Sequence, residues 1–110
     1  MVEQYFRDMI VAFNKKAQED PKLAKELAGV TRMVQIDVTD GGSYHFLLDN
    51  AHVGELQMGK ATNPEIIISA TTETFNQLRS GELRPMKALA LKRLKVNATL
   101  EDMLRLRKFF

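Results

Sequence analysis

The chain contains no cysteine and no tryptophan. Without cysteine there is no disulfide framework and no thiolate metal site, and the composition suits a reducing compartment. No run of apolar residues approaches the ~20 that crossing a bilayer requires. The N-terminus, "MVEQYFRDMIVAFNKKAQED", sets acids among its apolar residues, unlike the apolar core of a secretory signal. The last residues, "RLRKFF", do not form a peroxisomal address of the Ser-Lys-Leu type. We therefore expect a soluble, cytoplasmic protein.

Chemistry-bearing residues are equally sparse. The two histidines, His45 and His52, fall on adjacent predicted strands with no acidic pair beside them, and they read as ordinary strand residues rather than metal ligands. Ser43, Ser69 and Ser80 stand outside any Gly-x-Ser-x-Gly setting. "DGGSYH" is glycine-rich, but it turns from one strand into another and opens no helix that would cradle a phosphate. Carboxylates lie at turns (Asp40, Asp49) or in first helical turns (Glu73, Glu101), where they favour the helix dipole. The sequence predicts no enzyme, no cofactor and no metal.

What is present is periodicity. At 110 residues the chain is the size of one domain, expected over 1–110. Phe6, Met9, Ile10, Phe13 and Ala17 recur at three- and four-residue spacing, the buried stripe of an amphipathic helix. Asp20-Pro21 ends it and starts a shorter helix carrying Leu23, Leu27 and Ala28, closed at Gly29. From Thr31 the period becomes two. Val34, Ile36 and Val38 alternate with polar residues, Asp40-Gly41 turns the chain, and Tyr44, Phe46 and Leu48 face inward on the next strand. A third strand carries Leu56 and Met58, and Ile66 to Ile68 form a fourth that reads as central.

Helical spacing returns at Thr72, with Phe75 and Leu78 on one face and Gly81 at the end. Pro85 opens a short helix to Leu91, Leu94 and Val96 mark a last strand, and Thr99 with Asp102 starts a final helix in the manner of a capping box. A meander of strands with helices at both ends is an α+β layout, with the helices stacked on one face of a mostly antiparallel sheet. The last strand follows two helices, so it inserts beside an earlier one, and a crossover of that length permits parallel pairing.

Charge is unevenly laid out. Residues 78–110 hold nine Lys/Arg against three acids, a net +6, whereas residues 1–77 are net −4. This asymmetry suits an anionic surface. Nucleic acid is not expected, because the basic third lacks interleaved aromatics and any nucleic-acid-binding motif, and Tyr44 and Phe46 alternate as core residues do.

One stretch is more specific. "SGELRPMKALALKRLKVNAT", residues 80–99, resembles the signature of the sterol carrier protein type 2 family, a Gly-x-Leu-x-Pro turn followed by a short helix and a basic-apolar strand. Gly81, Leu83, Pro85, Ala88, Leu94, Lys95 and Val96 fall at matching positions. Upstream, "EDPKLAKELAGVTRMVQIDVTDGGSYHFLLDNA" is similar to that family's first helices and β-meander, and "PEIIISATTETFNQLRSGEL" to its fourth strand and following helix. Lys92 and Ala98 depart from the pattern, since glycine often stands at both places.

The resemblance implies a five-stranded mixed sheet, covered on one face by helices, with an apolar tunnel between the layers. It also implies non-catalytic binding or transfer of a hydrophobic ligand, a fatty acid, fatty acyl-CoA, sterol or other lipid. Phe75, Leu78, Met86, Leu89, Met103 and Leu106 are then the expected tunnel lining. Arg84, Lys87, Lys92, Arg93 and Arg105 are the expected basic face, a transient contact for an anionic membrane surface. The alternative is an interaction module of the same fold with a filled core, acting on a protein partner.

Overall fold

The period-3.6 stripe at the N-terminus folds as α1 (Val2–Glu19), which buries Phe6 and Ala17. The structure, a computed structural model, describes residues 2–107, with side chains through Arg105. Met9, expected on the buried stripe, is half exposed at its edge. Asp20 ends α1 and caps α2 (Pro21–Glu26), its carboxylate accepting from the N–H groups of Lys22 and Leu23. Proline at the first helical position removes an N–H that would have had no partner there.

Six strands follow in an open sheet: β1 (Thr31–Val38), β2 (Ser43–Asp49), β3 (His52–Val53), β4 (Gln57–Met58), β5 (Ile66–Ala70) and β6 (Lys95–Asn97). The order is β3-β2-β1-β5-β6, with β4 also on β2. The β1–β2 hairpin turns at Asp40-Gly41 and pairs Ile36 with Tyr44 and Val34 with Phe46, so the predicted inward residues share one face. The sheet has one strand more than expected. Asn50 and Ala51 both take positive φ, a tight turn that folds His52–Val53 back onto β2 before the longer chain continues to β4. The last strand also differs from expectation: β6 runs antiparallel to β5, and the parallel pair is β1 with β5.

The parallel β1–β5 pair is made possible by residues 59–65, which carry the chain from the β4 side of β2 to the far side of β1. Gln35, buried on the outer face, fastens this strap. Its Oε1 accepts from the Ala61 N–H at 2.9 Å and its Nε2 donates to Asp37 at 2.9 Å. His45 Nδ1 donates to the Gly59 carbonyl at 2.8 Å, and Glu65 accepts from the Met33 N–H at 2.9 Å. The outer face is thus polar where the strap crosses it, and each buried polar group there has its partner.

The helices cover the other face. α3 (Thr72–Ser80) is capped by Thr71 and ends at Gly81, whose φ of 84° suits a residue without Cβ. α4 (Pro85–Ala90) and α5 (Leu100–Arg107) follow. The main core joins α1, α3 and α4 to the sheet through Phe6, Ile36, Val38, Tyr44, Phe75 and Ala88. Phe6 meets Phe75 edge-on at 5.0 Å between ring centroids and Tyr44 at 5.4 Å, a favourable aromatic arrangement. A smaller cluster of Ala17, Leu23 and Leu27 closes the α1–α2 end, with Phe13 and Leu48 packed against it.

Candidate functional site

The alternation of β1 puts Arg32 in phase with Val34, Ile36 and Val38 on the helix-facing side. A guanidinium on an apolar face needs a partner. The partner is Asp102, in the first turn of α5, whose side chain is 3% exposed. Arg32 Nε donates to Asp102 Oδ2 at 2.9 Å. Arg105 Nη1 donates to Oδ1 of the same carboxylate at 2.7 Å, and its Nη2 to Glu101 at 3.0 Å. The hydrogen bond to Asp102 raises the Arg32 pKa above its ordinary value, so the cation persists. Thr99 completes the cap by accepting from the Asp102 N–H at 3.2 Å. Asp102 occupies the capping-box position that sequence reading gave it, but its carboxylate serves Arg32.

An ion pair therefore ties α5 to the start of β1. Among the described residues, the apolar side chains of the same helix are exposed, Leu100 and Leu104 by more than half and Met103 by 38%. On the sheet near Arg32, the neighbouring β2 residues Phe46 and Leu48 belong to different clusters, Phe46 to the main core and Leu48 to the smaller one. Val34 and Ile66, paired across β1 and β5 and both buried, share this stretch of sheet, with Ile68 further along β5. It forms an apolar floor of Val34, Phe46, Leu48, Ile66 and Ile68. An open cleft of about 540 Å³ on the exposed side of α3 has a different character, being lined by Asp40, Glu73, Asn76, Gln77, Arg79 and Glu82.

The expected lining residues do not share one surface. Phe75 is a core ring locked against Phe6. Leu78 and Leu89 are partly buried against the same core. Met86 points outward on α4 and Met103 is exposed on α5. The side chain of Leu106 lies outside the described residues. The expected basic face divides in the same way. Arg84, Lys87 and Lys92 are exposed on and beside α4. Arg93 is turned inward, donating to Gln77 and Thr74 of α3. Arg105 is committed to Asp102 and Glu101. Sequence reading missed the Arg32–Asp102 pair, although the phase of β1 carried the signal: one cation among three β-branched residues.

The sequence pattern of the SCP-2 sterol transfer family matches residues 12–110. The chain belongs to that family. Among solved structures, the chain is similar to a crystal structure of sterol carrier protein 2, with a TM-score of 0.60 and 17% identity over 87% of this chain and 81% of that one. It is also similar to sterol carrier protein domain 2 of Helicoverpa armigera, with a TM-score of 0.63 and 16% identity over 94% and 83%. A stereoselective inverting sec-alkylsulfatase from Pseudomonas contains a similar part, with a TM-score of 0.56 and 13% identity over 74% of this chain. This chain spans only 13% of that enzyme. At these identities the structural likenesses establish the SCP-2 fold, helices on one face of a mixed sheet. Among curated proteins, none matches the chain in sequence. SCP-2 family membership supports lipid binding or transfer in general terms. Among the described residues no helix is long and apolar enough to cross a membrane.

Proposed function

We propose that the protein binds one hydrophobic ligand, a fatty acid, fatty acyl-CoA or sterol, in an apolar tunnel between the sheet floor and the helices, and hands it on unchanged. Family membership supports the class of ligand. The observation that carries the placement is the mismatch at α5, a helix fastened by a buried carboxylate while Leu100, Met103 and Leu104 stay exposed. A helix docked by hydrophobic burial alone would turn those residues inward and leave Asp102 in water. On this reading the acyl chain lies over Val34, Phe46, Leu48, Ile66 and Ile68, beside α5, which Asp102 holds at its first turn, and supplies apolar contacts to the exposed side chains of that helix. Among the described residues, Leu78, Leu89 and Met103 are the lining candidates compatible with this reading.

The energetics are sufficient. Each methylene removed from water contributes about 0.8 kcal/mol, so roughly a dozen contribute on the order of 10 kcal/mol. Ordering of the chain and lost tumbling offset part of this, and micromolar affinity needs only about 8 kcal/mol. Titration with a fluorescent fatty acid should saturate and reverse on adding unlabelled ligand. No saturable binding up to the solubility limit would refute the proposal.

A second reading, the interaction module with a filled core, draws support from the edge-on packing of Phe6, Tyr44 and Phe75, which fills the α1–α3 end. Ile68→Trp separates the two. In a tunnel the indole takes the ligand's place and the fold persists. In a filled core it overpacks and destabilises by about 1–3 kcal/mol.

A further inference from the structure

The outward side of α4 carries two apolar side chains that are exposed among the described residues. Met86 is 46% exposed and Leu91 is 54% exposed, while Ala88 and Leu89 take the inward side. Lys87 and Leu91 lie one turn apart, as do Met86 and Ala90, so these four form one outward surface. Arg84 precedes the helix and Lys92 follows it, both exposed. Among the described residues none of Arg84, Lys87 and Lys92 enters an ion pair, and no acid occurs from Leu83 to Leu100.

Lys92 adds an independent observation. Two backbone bonds wrap the end of α4, Lys92 N–H to the Leu89 carbonyl and Arg93 N–H to the Ala88 carbonyl. That wrap puts the residue after the cap in the left-handed region, a place that favours glycine. Lys92 occupies it with φ 61°. The chain accepts backbone strain and gains a cation beside Leu91.

We propose that the α4 turn, Arg84 to Lys92, is a docking tip for an anionic bilayer surface. Apolar Met86 and Leu91 enter the headgroup boundary, and the three cations meet lipid phosphates with their stems lying along the apolar side. The nine residues of the tip fall well short of the ~20–30 a side of a stable protein interface, whereas a bilayer needs no matching contour. The proposal is independent of what fills the interior.

The absence of native tryptophan makes a clean probe of Leu91→Trp. With vesicles of phosphatidylglycerol and phosphatidylcholine its emission should shift to the blue, and the shift should shrink from low to physiological salt. Pure phosphatidylcholine should give little response. Val11→Trp, at an exposed site on α1, should stay unshifted. Lys92→Gly, which also relieves the strain, should lower vesicle partitioning roughly fivefold and leave fatty-acid titration in vesicle-free solution unchanged. A shift at Val11→Trp in place of Leu91→Trp would overturn the proposal, as would partitioning indifferent to lipid charge. So would an absence of vesicle binding alongside a Leu91→Trp shift on poly-glutamate, which would point to an acidic protein partner.

Discussion

Replacing Asp102 by asparagine keeps the shape of the side chain that fastens α5 and removes its charge. Two charge-assisted hydrogen bonds end on this carboxylate, from Arg32 and Arg105, each of a kind that contributes about 1.5–3 kcal/mol. Both arginine side chains are about a quarter exposed, 25% and 22%, so water takes over part of the loss. Arg105 also retains Glu101 one turn away. We expect a net loss of roughly 2 kcal/mol. If α5 unfolds together with the sheet, Tm falls by roughly 8–16 °C for a domain of this size. If α5 detaches alone, its amides exchange with solvent faster while Tm holds. Differential scanning calorimetry and hydrogen exchange distinguish the two. Arg32→Met with Asp102→Leu replaces the pair by apolar groups and should recover most of the loss. The reasoning is refuted if Asp102→Asn changes neither Tm by more than ~2 °C nor the exchange of α5.

Three further outcomes follow from other contacts. Lys92→Gly should raise stability in urea by up to ~1 kcal/mol, because relief of the left-handed strain exceeds the added freedom of the unfolded chain; a loss would show that the lysine is not strained. Gln35→Leu leaves the Ala61 N–H without its acceptor and should destabilise by about 1–3 kcal/mol, with faster exchange at Ala61; an unchanged exchange rate would release the strap from Gln35. Asp40 accepts from the N–H and hydroxyl of Thr72, and those bonds hold its pKa below the ordinary value. A lowered folded pKa contributes stability above the unfolded value and loses it as pH falls through the folded one. Asp40→Ala should therefore be less stable at neutral pH, with the gap closing below about pH 4; a gap that persists at lower pH would contradict the assignment.

Much of the fold was legible because its local signals agree with its tertiary role. Asp20-Pro21, Asp40-Gly41 and Gly81 each mark a break that the structure keeps, and the alternation from Val34 to Val38 gave the buried face of β1. The direction of β6 was not legible. Lys92 carries no turn signal, yet it takes the conformation that reverses the chain after α4. β3 is only two residues long, too short for a period to register. Tunnel and core residues read alike by hydrophobicity, so Phe75 entered the expected lining although an aromatic neighbour fixes it in the core. The basic third gave net charge but not partners, which is why Arg93 and Arg105 were grouped with Arg84, Lys87 and Lys92, which enter no ion pair among the described residues. Arg32 was legible in principle, as a cation in phase with a buried face.

Native mass spectrometry of the full chain, purified without detergent, tests the central claim most directly. The account predicts peaks displaced from the protein mass by one lipid-sized ligand, removed by delipidation and restored by adding a fatty acid. A single unliganded mass that added fatty acid does not shift, in protein that remains folded, would contradict it and leave the filled-core interaction module in its place.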